Sequence, residues 1–310
     1  QPVDMNNLVE DLNTPLDNVL YETAMKNALT VLKNKRLIVP VKKLANTRIA
    51  YVHFGDDSGE YFLSQLQKYT KVDWVKAKTL DEYNKKLKEY DLTIIGFHKS
   101  NVNPWKEYKF TQVELTRLYE IARNNKVILD VFARPYALID LKLTSNIEGI
   151  IMSYQNSKVS QELSAQLIFG AITAKGSLPV SIGEKFPLNT TNFTRNQNRL
   201  QYGTPESVGI NSIKLNKIDS LATLGLIEDM MPGAQILVAR KGKVIYHKTF
   251  GHHTQLKKIK VSEDDVYDVA SLTKILATLP MIMELVDNGT INLNTKISEL
   301  LPDYIGSNKE

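Results

Sequence analysis

The sequence predicts an α/β chain, a mainly parallel α/β sandwich domain followed by a partial α+β unit. Three observations predict it. Between residues 47 and 182, short runs rich in Val, Ile and Leu alternate with amphipathic stretches, as in a parallel sheet covered by helices on both faces. A polar, turn-rich stretch without periodicity follows at 186–198, where an interdomain linker belongs. Beyond it, a hairpin pattern and one strongly apolar helix replace the earlier rhythm. The expected boundaries are 1–188 for the sandwich, 189–204 for the linker and 205–310 for the second unit.

Each element has its own signal. Residues 48–54, ended by Gly55, read as a buried strand, and 59–69 as a helix with Phe62, Leu63 and Leu66 in register. A short strand at 72–75 and a helix at 80–90 come next. Leu92-Thr93-Ile94-Ile95-Gly96 forms the third strand, 111–124 a further helix, and 126–132 the fourth strand, ended by Arg134-Pro135. A fifth strand at 147–154 and a long helix at 160–173, closed by Lys175-Gly176, complete the unit. In the second unit Asn211 or Ser212 caps a helix running through Leu215, Ile218, Leu221 and Leu224. Residues 234–239, the turn Lys241-Gly242 and residues 244–250 read as a hairpin, and 271–288 as an apolar helix closed by Gly289. No internal repeat or low-complexity tract is present.

Composition narrows the function classes. A chain of 310 residues, 43% hydrophobic and 24% charged, has length for about two domains. No apolar run approaches the roughly 18 residues that span a bilayer. The opening Gln1-Pro2-Val3-Asp4 has neither an initiator methionine nor an apolar signal core, and reads as a processed end or a boundary. The absence of cysteine excludes disulfides, thiolate metal sites and a cysteine nucleophile, and fits a cytosol or a periplasm. The net charge of +5 comes from dispersed lysines, with small clusters at 33–36, 85–88 and 257–260. No basic stripe carries interleaved aromatics, so no nucleic-acid partner is expected.

Ser271-Leu272-Thr273-Lys274 carries the chemistry. A serine and a lysine three residues apart on a helix share a face, close enough for the amine to activate the hydroxyl as a nucleophile. The serine opens the apolar helix after Val266-Tyr267-Asp268-Val269-Ala270, an extended approach. Free backbone N–H groups and the helix dipole favour negative charge there. Lys274 is expected beside the apolar face, where partial desolvation favours the neutral amine a general base needs. The same spacing also describes an N-cap serine followed by a surface lysine.

Other candidates are weaker. Asp56-Asp57 and Glu60 follow the first strand, where open sheets place their sites, and read equally as turn and helix-capping carboxylates. Gly55-Asp56-Asp57-Ser58-Gly59 lacks the Gly-x-Gly-x-x-Gly spacing, so no dinucleotide cofactor is expected. His252-His253 point apart if extended and have no accompanying cluster, so no metal is expected. Trp74 and Trp105 read as packing and rim residues, with Trp105, after Asn103-Pro104, a loop candidate for a sugar platform.

Two resemblances join these observations. Residues 205–310 resemble the N-terminal part of the serine β-lactamase, penicillin-binding protein and esterase superfamily, nearest its class C branch. The matching pieces are Thr204-Pro205-Glu206-Ser207-Val208-Gly209-Ile210, Pro232-Gly233-Ala234, the hairpin around Arg240-Lys241-Gly242-Lys243-Val244, and Val269-Ala270-Ser271-Leu272-Thr273-Lys274. Leu285-Val286-Asp287-Asn288-Gly289-Thr290-Ile291-Asn292-Leu293 and Leu301-Pro302-Asp303-Tyr304 continue it. The resemblance implies Ser271 as the acylated nucleophile and Lys274 as its proton acceptor. It also implies a Tyr-x-Asn element and a late Lys-Thr-Gly-like strand, neither of which lies between Lys274 and Glu310. Tyr154-Gln155-Asn156 has the letters but lies in the other unit. The expectation is therefore a piece of a larger enzyme, inactive alone, with residues 205–310 poorly ordered or self-associating in isolation.

Residues 15–188 resemble the C-terminal α/β sandwich domain of glycoside hydrolase family 3. The resemblance rests on Ala24-Met25-Lys26-Asn27-Ala28-Leu29-Thr30-Val31-Leu32 with Ile38-Val39-Pro40, on Asp130-Val131-Phe132-Ala133-Arg134-Pro135-Tyr136, on Met152-Ser153-Tyr154-Gln155-Asn156 and on Gly176-Ser177-Leu178-Pro179-Val180. It implies a parent similar to secreted bacterial β-N-acetylglucosaminidases, with a catalytic barrel before this segment and a carbohydrate or peptidoglycan-derived substrate. A periplasmic or secreted location follows from the same resemblance. The alternative is a non-catalytic binding or scaffolding module with a vestigial serine–lysine pair. Oligomeric state is left open.

Overall fold

A computed structural model describes residues 5–103 and 105–308. The opening Gln1-Pro2-Val3-Asp4, Pro104 and Glu310 lie outside the described residues. The chain runs α1 (Leu8–Asp11), α2 (Pro15–Ala28), β1 (Thr30–Asn34), β2 (Ile49–Gly55), α3 (Glu60–Gln67), β3 (Val72–Trp74), α4 (Leu80–Leu87), β4 (Leu92–His98), α5 (Gln112–Asn124), β5 (Val127–Phe132), β6 (Gly149–Met152) and α6 (Lys158–Ile168). There follow β7 (Gln201–Tyr202), α7 (Ser212–Leu215), α8 (Lys217–Ile227), β8 (Gly233–Arg240), β9 (Lys243–Gly251), α9 (Leu279–Asp287) and α10 (Ile297–Leu300).

The first sheet has the order β1-β6-β5-β4-β2-β3. All its pairs are parallel except β1 with β6. Every residue of β4, β5 and β6 is buried, which explains their unbroken apolar runs: helices cover both faces. On one face Val52, Phe54, Ile95 and Phe97 pack against Tyr83, Leu87, Leu115, Leu118 and Ile121 of α4 and α5. On the other, Tyr51, Ile94 and Ile128 meet Met25, Phe62, Leu66, Leu163 and Leu167 of α2, α3 and α6. The predicted α/β architecture is the observed one.

Local signals set the boundaries. Thr111 and Glu114 form a capping box that starts α5, and Thr79 and Ser157 cap α4 and α6. The helix expected at 160–173 stops at Ile168, because Gly170 takes φ 73 and turns the chain. Two elements were not expected: α2, although Thr14 and Asp17 form a capping box and Pro15 opens the helix, and the edge strand β1.

The second sheet has the order β7-β9-β8. Lys241 (φ 52) and Gly242 (φ 73) make the tight turn between β8 and β9, the geometry that suits the twist of a hairpin. Asn211 caps α7 by accepting from the Lys214 N–H. The expected single helix breaks after Leu215 into α7 and α8. Val244, Ile245 and Tyr246 are buried in this unit. The stretch expected as a plain linker ends in β7, which pairs with β9 through Gln201 with Lys243 and Tyr202 with Val244.

Candidate active site

Ser271 and Lys274 stand at the start of one helical run. It opens as a 3-10 turn over Ala270–Leu272, widens to a π segment over Lys274–Thr278 and continues as α9. Pro280 accounts for the wide segment, since it has no N–H to donate and its ring crowds the carbonyl four residues back. Gly289, at φ 77, closes the run. The first turn brings the pair together: Lys274 Nζ donates to Ser271 Oγ at 2.9 Å. Ala270 has φ 42, a left-handed backbone costing an alanine about 1 kcal/mol, and its N–H is held by Asp268 Oδ1 at 2.8 Å.

The surroundings differ from those expected. Both side chains are exposed, and so are Leu272, Ile275, Leu276, Leu279 and Ile282 of the same helix. The apolar face that should desolvate the amine is uncovered, so water reaches Lys274 freely. An apolar groove of about 280 Å³ lined by Leu279, Ile282, Met283, Val286 and Leu293 lies open on this face. The hydrogen bonds made by the Asp268, Ser271 and Lys274 side chains lie within residues 266–308. In this arrangement the ammonium can orient the hydroxyl. Attack on a carbonyl needs the reverse polarity, with Oγ–H donating to a neutral amine.

The carboxylates after β2 sit in a different network. Asp56 lies between Lys99 Nζ at 3.5 Å and Lys106 Nζ at 3.3 Å, the Lys99 side chain being only 8% exposed. Asp57 Oδ2 accepts from Asn156 Nδ2 at 3.0 Å. Asn156 Oδ1 faces His98 Nδ1 at 2.8 Å, and His98 Nε2 faces the Tyr51 hydroxyl at 2.9 Å. Burial lowers the His98 pKa to about 3. The ring is neutral, donating from Nδ1 and accepting at Nε2. Nothing larger than glycine fits beside it: a Cβ on Gly96 would stand 2.3 Å from His98 Nε2. These groups lock the loop that carries Asp56 and Asp57; Asp57 accepts from the Ser58 N–H in the turn, and neither carboxylate caps α3. Glu60 is exposed at the first position of α3.

Sequence reasoning missed Asp130, at the centre of β5. It is fully buried and accepts from Ser153 Oγ at 2.6 Å and from Ser164 Oγ. Burial raises its pKa to about 7. The signal was an acid inside the otherwise apolar run Val127-Ile128-Leu129-Asp130-Val131-Phe132.

The remaining candidates are separate. Tyr154 bonds Thr30 Oγ1 at 2.8 Å, so Tyr154-Gln155-Asn156 belongs to the sandwich and not to Ser271. His253 Nε2 meets Asp265 Oδ2 at 2.7 Å while His252 bridges to Lys260. Among the described residues no group of His, Asp and Glu could hold a metal. Trp105 is 92% exposed, and Lys76 Nζ covers the Trp74 ring at 3.5 Å.

Residues 218–310 match the Beta-lactamase family. The C-terminal part of the chain is β-lactamase-like. It is similar to Protein flp of Staphylococcus aureus, 35% identical over 88 residues, or 28% of this chain and 18% of that protein. A putative D-alanyl-D-alanine carboxypeptidase of Salmonella agona is 28% identical over 112 residues, 34% of this chain and 26% of that one. The chain thus spans about a quarter or less of these relatives. Solved structures similar to it include a β-glucosidase from Listeria innocua in complex with isofagomine, with TM-score 0.47 and 15% identity over 58% of this chain and 29% of that one. A glycoside hydrolase family 3 β-N-acetylglucosaminidase from Paenibacillus has TM-score 0.44 and 14% identity over 55% of this chain and 34% of that one. Among the described residues no helix is long and apolar enough to cross a membrane.

Proposed function

We propose that residues 205–310 are the serine-bearing part of an acyl hydrolase, and that Ser271 forms an acyl-enzyme with an ester or amide. The observation that carries this reading is the 2.9 Å contact between Lys274 Nζ and Ser271 Oγ, within the stretch that matches the Beta-lactamase family. In the reaction Ser271 Oγ attacks the carbonyl carbon while its proton passes to Lys274; the C–O or C–N bond of the substrate then breaks, the alcohol or amine leaves with that proton, and water later releases the acid from Ser271. The Ser271 N–H, at the start of the helical run, faces the developing oxyanion. A second donor and a wall over Lys274 come from further segments of a longer protein. The short span of the chain on its relatives and the uncovered apolar face of the serine helix support that extension. An amide in a peptide ending in D-alanine is a candidate substrate, by similarity to the putative carboxypeptidase.

The sandwich unit, on this reading, belongs to a family 3 glycosidase acting on an N-acetylglucosamine-containing glycan in a secreted or periplasmic bacterial protein, with no nucleic-acid partner. That part rests on the sequence resemblance of residues 15–188. A scaffolding role, with the serine–lysine pair unused, is the second reading, and the exposure of Lys274 favours it.

Labelling with a fluorescent penicillin or a fluorophosphonate separates the two. The whole protein containing this chain is expected to label at Ser271, and Ser271→Ala to abolish the label. Lys274→Ala should slow labelling by about a hundredfold or more. The 310-residue chain alone should stay unlabelled. An unlabelled whole protein, or a label surviving Ser271→Ala, would refute the hydrolase reading.

A further inference from the structure

The stretch between the two units is bonded to both, and its attachment is specific. Arg199 donates to the carbonyls of Val41 at 2.8 Å and Lys42 at 2.7 Å, and also to that of Phe169. The Tyr69 hydroxyl donates to the Leu200 carbonyl at 2.7 Å. Gln166 on α6 then pairs with the Tyr202 backbone in both directions, accepting from its N–H at 2.9 Å and donating to its carbonyl at 3.1 Å. In effect the Gln166 amide takes the place of a neighbouring strand on one side of β7. On its other side β7 pairs with β9.

A charge pair crosses the same junction. Lys243 Nζ on β9 meets Glu22 Oε1 on α2 at 2.9 Å, with the two side chains only 14% and 13% exposed. The ammonium also donates to Ser207 Oγ at 2.8 Å. Gly203 makes room for it, since a Cβ there would lie 2.8 Å from Glu22 Oε1 and 2.9 Å from Lys243 Nζ. A cleft of about 450 Å³ beside the pair has walls from both units, among them Glu162 and Leu163 of α6 and Ile245 and Tyr246 of β9. Four elements of different sequence distance therefore converge on one joint.

We propose that the sandwich is the docking partner of the β-lactamase-like unit within the same chain. Residues 199–204 form a strap that supplies a strand to the β9 edge, and the Glu22–Lys243 pair fixes its orientation. The two units then move as one body, and the edge of β9 stays covered only while the sandwich holds the strap. This inference does not depend on whether Ser271 reacts.

Amide hydrogen exchange on the 310-residue chain tests it, with Glu22→Gln, Lys243→Met and the double variant. Removing one partner of a largely buried pair leaves the other charge unmatched. Each single variant is expected to speed exchange about tenfold to a hundredfold at residues 201–204 and 243–247. The double variant should lose less than the product of the two singles. Gln166→Ala should speed exchange at 201–204 by the same route. Lys248→Met, which breaks an exposed pair with Asp219 inside the second unit, should leave 201–204 unchanged. Tryptophan fluorescence checks that the sandwich remains folded, because both tryptophans lie in it. Unchanged exchange in both single variants, or singles that multiply in the double, would overturn the proposal. So would X-ray scattering showing the two units reorienting freely in the unaltered chain.

Discussion

Replacing Asp130 with asparagine is expected to change how the stability of the sandwich depends on pH. Asp130 carries a pKa of about 7 in the fold against 3.8 when unfolded. The folded chain keeps this proton between those values while the unfolded chain releases it. The stability the proton provides is complete below pH 3.8 and is lost as pH rises to about 7. Over roughly three pH units, at about 1.4 kcal/mol each, the loss reaches about 4 kcal/mol. Asparagine mimics the protonated acid: one of the two serine hydroxyls can keep donating to its carbonyl oxygen while the other turns to accept from its NH2. The stability gained by Asp130→Asn over the unaltered chain should therefore grow by about 3 kcal/mol between pH 4.5 and pH 7, then level off. His98 acts in the opposite sense. Its pKa falls from 6.5 to about 3 on folding, so its contribution is present above pH 6.5 and is lost as pH falls through 3. In the unaltered chain the two slopes oppose each other between about pH 4 and pH 6.5, and Asp130→Asn exposes the histidine slope alone. Urea unfolding followed by tryptophan fluorescence at four pH values measures this directly. Parallel pH profiles for the variant and the unaltered chain would refute the reasoning.

Three further outcomes follow from the geometry. Gly59→Ala places a Cβ 2.3 Å from the Tyr51 hydroxyl and 2.6 Å from His98 Nε2, so a loss of about 1–3 kcal/mol is expected in urea unfolding; a shift under 0.5 kcal/mol would mean the His98 cradle is looser than described. Ser271→Ala and Lys274→Ala alter exposed groups, and thermal unfolding should move by no more than about 0.5 kcal/mol equivalent; a larger loss would assign the pair a packing role. Leu276 and Ile282 are 65% and 41% exposed on the serine helix, so Leu276→Lys with Ile282→Glu should lower self-association of the 310-residue chain in light scattering. Unchanged association would place the contact surface elsewhere.

The strands β2, β4, β5 and β6 were legible because burial on both faces leaves largely apolar runs bounded by Gly, Pro and charge. The hairpin was legible from Lys241-Gly242, which meets the φ > 0 demand of a tight turn. β1 was not, since Thr30-Val31-Leu32-Lys33-Asn34 is short and mixed, and only its long-range partner β6 makes it a strand. Residues 199–204 read as linker because their order comes from Arg199, Tyr69 and Gln166 bonding to main chain, a tertiary effect without periodicity. At the candidate site the Ser271–Lys274 spacing gave their shared face directly. The hydration of Lys274 was not readable, because it depends on what covers the helix. Asp130 shows the same limit from the other side: its letter stands out in β5, yet its protonation depends on complete burial, which the elements packed around β5 decide.

The edge strand β1 has one partner, and that partner is β6. On a ribosome, Thr30–Asn34 emerges long before Gly149–Met152, so the nascent chain carries a sticky ribbon with nothing to zip against while most of the sandwich is still being translated. The β1 edge of that sheet closes only after β6 has been made, while β2, β4 and β5 can pair before it. Shortening the chain from its front end would take away the strand that seals it.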